Sequence, residues 1–115
     1  MQWKQEGTMT IQEMQKEAFK IAEEHGWTEE LVSVPEMIAL IHSEASEALE
    51  AYRNKEPLSW NREDGKPEGV ASEFADIIIR LGHYAEVLNI NLEKAVIEKM
   101  TYNKTRPYRH GNKAC

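Results

Sequence analysis

The spacing of the apolar residues is the feature that most constrains how this chain folds, because they recur every three or four positions through most of it. This spacing places them on one face of an amphipathic helix. The first predicted helix opens at Thr10, which stands three residues before Glu13 as in a capping box, and it closes near Gly26. No stretch alternates apolar and polar residues as a strand does, so the sequence predicts an all-α fold.

The same signals predict three further helices. The second begins after Ser33, with Pro35 in its first turn, and the fourth begins after a cap at Asn91. The predicted bounds of these helices are 34–53, 70–88 and 92–105. Between the second and the third, residues 54–69 are polar and contain several prolines and glycines, which predicts a long loop. The expected architecture is a four-helix bundle.

Length and composition bound the class of protein. The chain has 115 residues, 41% hydrophobic and 30% charged, which predicts one globular domain over 1–115 with flexible tails at 1–9 and 108–115. No apolar run approaches the roughly 20 residues of a membrane span, and the polar start has no signal-peptide core. The single cysteine is Cys115, the last residue, so no internal disulfide is expected. A cytoplasmic location, without a membrane partner, is the expectation.

The charge is unevenly distributed. The formal net charge is −6, from 14 basic and 20 acidic residues, but residues 99–115 contain five basic residues and no acidic one. The rest of the chain therefore carries 9 basic against 20 acidic side chains. A protein that coats a nucleic-acid polymer needs net positive charge to displace the phosphate counterions, so the sequence argues against such a partner.

Two glutamates interrupt the apolar face of the second predicted helix. Glu44 and Glu47 belong to a stripe of seven residues at helical spacing: Met37, Leu40, Ile41, Glu44, Glu47, Ala48 and Ala51. A buried carboxylate without a partner is costly, so these side chains are expected to have a shifted pKa, a partner or a bound metal. The alternative is that both lie at the edge of the stripe and face water.

The third predicted helix repeats this pattern. Glu73 and Asp76 are three residues apart, and therefore on one side of the helix, in a segment whose apolar residues surround most of its circumference. A helix that is apolar on two sides is expected to contact neighbours on two sides, which favours a core completed by oligomerisation. Because Arg80 and His83 continue the polar strip, ordinary salt bridges are the alternative explanation.

Facing each other across a bundle, the two pairs would form a site for a cation. Carboxylate oxygens without thiolate or imidazole favour hard ions, Mg²⁺ first and Mn²⁺ as a substitute. Di-iron bundles use a Glu-x-x-His pair instead, and none of the four histidines follows a glutamate at that spacing. The sequence therefore favours a magnesium site over an iron site.

The order of these motifs resembles a known family. Glu44-x-x-Glu47, 25 intervening residues and Glu73-x-x-Asp76 are similar to the signature of the MazG-like all-α nucleoside triphosphate pyrophosphohydrolases. The segments 41–50, 73–81 and 99–108 also resemble the family's blocks, and the likeness extends from about residue 11 to residue 111.

This resemblance implies a function and an assembly. It implies hydrolysis of (deoxy)nucleoside triphosphates to the monophosphate and pyrophosphate, a reaction suited to cleansing the nucleotide pool. The four acids Glu44, Glu47, Glu73 and Asp76 would be the Mg²⁺ ligands. The chemistry adds Glu44 and Glu47 as candidate catalytic carboxylates, because a carboxylate oxygen not bound to the metal, first of all one of Glu47, could accept the water's proton. The family's helical bundle is completed by forming a homodimer or a homotetramer.

The same resemblance assigns substrate contacts outside the acidic quartet. Lys99, Asn103 and Arg106 would bind the phosphates, and their steps of four and three put them on one helix face. The alternative for them is a solvated helix end, where basic side chains suit the dipole. Trp27 would lie near the nucleobase. Apart from the resemblance, Tyr52 and Trp60 are further candidates for stacking on the base, and packing in the core or in the loop is the alternative for all three.

Two other functions are compatible with the same residues. The chain could be a non-catalytic helical dimer that serves as an interaction or regulatory module. It could also be a metal-binding bundle without a nucleotide role, although that would leave the basic segment at 99–106 unexplained.

Overall fold

The structure, a computed structural model, describes residues 7–27 and 33–107. Within those ranges the chain forms four helices and one small hairpin: α1 Ile11–Glu24, α2 Val34–Arg53, β1 Trp60–Asn61, β2 Pro67–Glu68, α3 Val70–Val87 and α4 Leu92–Lys104. The predicted all-α fold is confirmed at this level. Of the predicted tails, 1–6 and 108–115 lie outside the described residues.

Side chains just outside the helices fix where the helices begin. Thr10 Oγ1 accepts a hydrogen bond from Glu13 N at 3.0 Å, and Glu13 Oε1 accepts one from Thr10 N at 2.8 Å. Ser33 and Glu36 form the same reciprocal pair before α2, and the Asn91 side chain caps α4. These contacts satisfy amide groups that would otherwise lack partners, which confirms the predicted helix starts.

The predicted loop between α2 and α3 holds a short antiparallel hairpin, which the sequence did not predict. Trp60 pairs with Glu68 and Asn61 with Pro67, and Gly65 turns the chain with a φ of 91°. Each strand has only two residues, too few to show an alternating pattern. The hairpin places a polar segment beside the first turn of α3.

Small side chains make up much of the core between α1, α2 and α3. The buried apolar residues are Ala18, Met37, Ala48, Ala51, Tyr84 and Ala85. At Gly82 a Cβ atom would collide with the side chain of Met14 and approach Gln15 Cα to 3.2 Å. Glycine at this position therefore allows α1 and α3 to approach closely.

Gln15 is a buried polar link between three elements. Its Nε2 donates to Glu86 Oε1 at 2.9 Å and to the Ile90 carbonyl at 2.7 Å, while its Oε1 accepts from Leu92 N at 3.2 Å. These bonds attach the beginning of α4 to the N-terminal half of α1 and to the C-terminal end of α3.

The middle helix of the packed core is α3. It contacts α1 on one side and α2 on another, as its two apolar sides predict. A third side remains exposed and carries Phe74, Ile78 and Leu81. Among the described residues, no helix combines the length and apolar character needed to cross a membrane.

Candidate metal centre

The two carboxylate pairs face each other across the contact between α2 and α3. Glu44 and Glu47 lie one turn apart within α2, and Glu73 and Asp76 lie in the first two turns of α3. One oxygen from each of Glu44, Glu47 and Glu73 lies within 4.8 Å of the others. Asp76 lines the same grooves as Glu44. The packing thus assembles all four acids at one place.

The two glutamates of α2 differ in environment. Glu44 is buried, and its Oε1 accepts a hydrogen bond from Arg80 Nε at 2.7 Å. Arg80 Nη1 also donates to the Tyr84 hydroxyl at 2.9 Å, which fixes the guanidinium. Glu47 is exposed at the edge of the apolar stripe. The sequence suggested either a partner for a buried carboxylate or a position at the edge of the apolar stripe. The structure shows the first for Glu44 and the second for Glu47.

The carboxylate of Glu73 has a buried oxygen without a partner. Its Oε2 forms no hydrogen bond among the described residues. Burial, together with the negative charges of Glu47 and Asp76, raises the pKa of Glu73 to about 7. Buried polar atoms in native proteins nearly always have a partner, so this oxygen suits a proton or a cation.

Repulsion between the acids also affects the other members of the cluster. The pKa of Glu47 is raised by its hydrogen bond with Glu44 and by the charge of that neighbour. Burial, and then the charge of Glu44, raises the pKa of Asp76, although Arg80 and Lys66 oppose this shift. The donor set consists of carboxylate oxygens, which fits Mg²⁺ or Mn²⁺ in preference to softer metals.

An open groove extends from the acids along α1, and we call it the α1 groove. It has a volume of about 370 Å³. Its lining residues are Ala18, Ile21, Ala22, His25, Trp27, Glu44, Asp76, Ile79, Arg80 and His83. The lining of the α1 groove therefore combines two acids, Arg80 and two histidines with apolar side chains and Trp27. Apolar walls with a few converging polar groups are typical of small-molecule sites.

His83 also lines the α1 groove. The sequence predicted for it only a place in a polar strip of salt bridges on the third helix. Its Nε2 is buried and has no hydrogen-bond partner among the described residues. Its ring lies between those of Phe19 and Tyr84, with centroids 6.0 and 5.2 Å away. Burial, aided by the charge of Arg80, lowers its pKa, so the imidazole is neutral at pH 7. The sequence signal that could have identified His83 as a site residue is its position two turns after Asp76, on the same side of α3.

A second groove lies on the other side of the acids, against the hairpin, and we call it the hairpin groove. It has a volume of about 420 Å³. Beyond the four site acids, its charged lining residues are Glu50, Glu56, Lys66 and Glu68. Three of these, Glu56, Lys66 and Glu68, belong to the segment predicted as a loop, so the sequence did not predict their place at the site.

Of the predicted substrate-binding residues, only Trp27 shares a groove with the acids in the part of the chain that the structure describes. It lines the α1 groove together with Glu44 and Asp76. Tyr52 is exposed and lines neither groove. Lys99, Asn103 and Arg106 are exposed, and no described residue of α4 lines either groove. Within one copy of the described chain, the basic face is thus not part of the acidic site.

Comparison with models of known protein families, with curated proteins and with solved structures finds no match to this chain. A functional assignment therefore depends on the geometry of the two grooves and on the motifs of the sequence.

Proposed function

We propose that this protein is a divalent-cation-dependent nucleoside triphosphate pyrophosphohydrolase of the MazG-like type, which releases a nucleoside monophosphate and pyrophosphate. One observation carries the proposal. Glu44, Glu47, Glu73 and Asp76 come together from two helices, and two of them, Glu44 and Asp76, also line the groove that contains Trp27. A cation site that adjoins an aromatic-lined groove suits a ligand with a polyanionic end and a flat apolar end.

The acidic cluster is the proposed position of the cation. Glu44, Glu47 and Glu73 supply the oxygens that lie closest together, and Asp76 stands beside them. The unpartnered Glu73 Oε2 supports this use, because a buried carboxylate oxygen gains a partner when the ion binds. A bound Mg²⁺ ion would offset the charge of the triphosphate and acidify a water molecule.

Glu47 is the proposed acceptor of the proton from the attacking water. Its carboxylate is exposed, whereas that of Glu44 is held by Arg80. The water oxygen forms a bond to the α-phosphorus. The bond from that phosphorus to the oxygen bridging to the β-phosphate breaks, and pyrophosphate leaves with the bonding electron pair. The proton passes to a carboxylate oxygen of Glu47 that is not bound to the cation.

The α1 groove is the proposed binding place for the nucleoside. Trp27 offers a flat aromatic surface for the base, and Ile21 and Ile79 contribute apolar walls. The buried Nε2 of His83 is an unused hydrogen-bonding atom in this groove. The volume of about 370 Å³ lies at the lower end of the range typical of small-molecule sites.

A homodimer or a homotetramer is part of the proposal. Phe74, Ile78 and Leu81 form an exposed apolar stripe on α3, at steps of four and three. The exposure of such an apolar stripe on a small domain is explained if a second copy of the chain covers it.

A panel of nucleoside triphosphates incubated with Mg²⁺ tests the reaction. We expect monophosphate and pyrophosphate, separated by anion-exchange chromatography, with at least one substrate. The Glu73→Gln variant should lose at least a hundredfold in turnover, whereas Glu23→Gln, an exposed glutamate of α1, should retain wild-type activity. Release of orthophosphate and a diphosphate, or full activity of Glu73→Gln, would contradict the proposal.

The exposed stripe also favours the second candidate, a non-catalytic helical dimer acting as an interaction module. Such a module needs the apolar stripe but not the acids. A wild-type chain that dimerises, yet hydrolyses no triphosphate with Mg²⁺ or Mn²⁺, would favour this function over the enzyme.

A further inference from the structure

Two side-chain polar atoms in the described part of the chain are buried and lack a hydrogen-bond partner, Glu73 Oε2 and His83 Nε2. The proposed cation accounts for the first atom, whereas no step of the proposed reaction uses the second. Buried polar atoms in native proteins nearly always have a partner. The imidazole of His83 is therefore the strongest sign of a further contact with a ligand.

His83 shares the α1 groove with Arg80. Both side chains line it, together with Trp27 and the site acid Asp76. Arg80 precedes His83 by three residues in α3, so the two side chains leave the helix on one side, one turn apart. A nucleotide that binds the acids through its triphosphate and stacks its base on Trp27 therefore has two polar side chains within the same groove.

One aromatic neighbour, Tyr84, holds both of these side chains. The centroid of its ring lies 5.2 Å from that of His83, and the ring of Phe19 lies 6.0 Å from His83 on another side. The Tyr84 hydroxyl accepts a hydrogen bond from Arg80 Nη1 at 2.9 Å. The imidazole and the guanidinium are thus fixed before a ligand binds, which lowers the entropic cost of recognition.

Arg80 can offer a ligand only hydrogen-bond donors, because a guanidinium has several N–H groups and no acceptor. Its Nε donates to Glu44 and its Nη1 to Tyr84. Its Nη2 makes no hydrogen bond to any residue that the structure describes. The remaining donors of Arg80 therefore match a carbonyl oxygen and do not match an amino group.

His83 can supply the acceptor that Arg80 lacks. Burial and then the charge of Arg80 lower the pKa of His83, so the ring is neutral at pH 7. One nitrogen of a neutral imidazole carries no proton and accepts a hydrogen bond. A donor and an acceptor thus lie one turn apart in the α1 groove.

We propose that Arg80 and His83 determine which nucleobase this protein accepts, with Arg80 Nη2 donating to a carbonyl oxygen of the base and His83 Nε2 accepting from the ring N–H beside it. Uracil, thymine, guanine and hypoxanthine present this pair of groups, whereas cytosine and adenine present an amino group beside an unprotonated ring nitrogen. An amino group opposite the guanidinium leaves donors on both sides without a partner, which selects against cytosine and adenine. The inference rests on the proposed function and deepens it by naming the class of substrate.

Two pairs of nucleotides test this preference, because UTP differs from CTP, and ITP from ATP, only at this edge of the base. The probes are the α,β-methylene analogues, which cannot be cleaved between the α- and β-phosphates, and calorimetry with Mg²⁺ measures their binding. At least one pair should bind, and in each pair that binds the carbonyl member should have a Kd lower by about tenfold or more. Equal affinities, a preference for the amino member, or no binding of either pair would overturn the inference.

Substitution of His83 tests its share of the recognition. His83→Phe retains an aromatic ring but removes both nitrogens, so the Kd of the preferred analogue should rise by about tenfold. His83→Gln, whose amide oxygen accepts a hydrogen bond, should recover most of this loss. Binding of inorganic tripolyphosphate with Mg²⁺ should not change in either variant, because a base contact does not involve the phosphates.

The matched control is His42→Phe, a substitution of an exposed histidine of α2 that lines neither groove, and it should leave all these affinities unchanged. Equal losses in His83→Phe and His83→Gln, or a parallel loss of tripolyphosphate binding, would show that His83 has a structural role instead.

Arg80→Lys tests the origin of the carbonyl preference. Lysine retains a positive charge for Glu44, but a single ammonium group lacks the fork that binds Glu44, Tyr84 and a base together. The ratio of affinities between the carbonyl and amino members should fall to about threefold or less. An undiminished ratio would remove Arg80 from base recognition and overturn the inference.

Hydrolysis separates this inference from the proposed function. If the analogues bind with the expected preference but the wild type hydrolyses no triphosphate, the base specificity is supported and the proposed reaction is wrong. If the wild type releases monophosphate and pyrophosphate with equal kcat/KM for both members of a pair, the proposed reaction is supported and the base specificity is wrong.

Discussion

Arg80 Nε donates a hydrogen bond to Glu44 Oε1 at 2.7 Å and so joins α3 to α2 at the acidic cluster. The side chain of Glu44 is 11% exposed and that of Arg80 27% exposed, so water partly solvates the pair. This contact holds Glu44 beside Glu47 and Glu73, and one oxygen from each of these three side chains lies within 4.8 Å of the others. Glu44 is therefore both a link between the two helices and a member of the candidate cation site.

Removing the guanidinium should destabilise the protein. In Arg80→Met the buried carboxylate of Glu44 loses its counterion, and we expect the free energy of unfolding to fall by about 1–3 kcal/mol, less than for a fully buried pair. The measurement is urea denaturation at pH 7 without divalent cations. Adding Glu44→Gln to the same chain should recover part of the loss, whereas equal stability of Arg80→Met and wild type would show that the pair contributes nothing.

Without a divalent cation, stability should depend on pH through Glu73. Its pKa is about 7 in the folded chain and 4.5 as the ordinary value, so between these values the native state binds more protons than the unfolded state. Its contribution to stability is therefore present at low pH and is lost as the pH rises from about 4.5 to 7. Thermal denaturation of wild type and Glu73→Gln across this range checks the prediction, because the difference in Tm between them should change in this window.

Metal affinity should have the opposite dependence on pH. A cation must displace the proton of Glu73, so the affinity for Mn²⁺ should rise by up to about tenfold per pH unit as the pH approaches 7 and then level off. Electron paramagnetic resonance of free Mn²⁺ measures this directly. In Glu73→Gln the affinity should be lower and this rise should be smaller, because only Glu47 and Asp76 then compete for protons with a raised pKa; an unchanged pH profile would remove Glu73 from the metal site.

The two aromatic candidates for base stacking should behave differently. Trp27 lines the α1 groove, whereas Tyr52 is 67% exposed and lines neither groove. We expect Trp27→Ala to raise KM by about tenfold with little change in kcat, because stacking on a base contributes about 1–3 kcal/mol to binding. Tyr52→Ala is the matched variant and should leave both constants unchanged. The reverse pattern would place the base outside the α1 groove.

Gly69 should be essential for the junction between the hairpin and α3. Its φ is 94°, and a Cβ atom would lie 2.6 Å from the Pro57 carbonyl oxygen and 2.7 Å from that of Leu58. We expect Gly69→Ala to lower the free energy of unfolding by about 2–4 kcal/mol, because strain and collision add. Gly65→Ala is the control: its φ is 91° but nothing lies within 4 Å, so only about 1 kcal/mol should be lost. Equal losses would show that the close approach is unimportant.

The helices were predictable because their ends depend on nearby residues. Thr10 with Glu13 and Ser33 with Glu36 are each three positions apart, and the structure has both reciprocal caps. The hairpin was not predictable, since strands of two residues leave no pattern. Its pairing depends instead on the turn at Gly65 and on contacts with α3.

The sequence by itself determined which carboxylates share a helix face, because the helical repeat fixes the spacing of Glu44 with Glu47 and of Glu73 with Asp76. Only the tertiary structure decided that these pairs meet, that Arg80 binds Glu44, and that Trp27 lines a groove with Glu44 and Asp76. It also decided that Lys99 and Arg106 stay away from the acids of their own chain. The reason is physical: helical spacing is set by local backbone geometry, whereas the distance between two helices depends on packing among residues far apart in the chain.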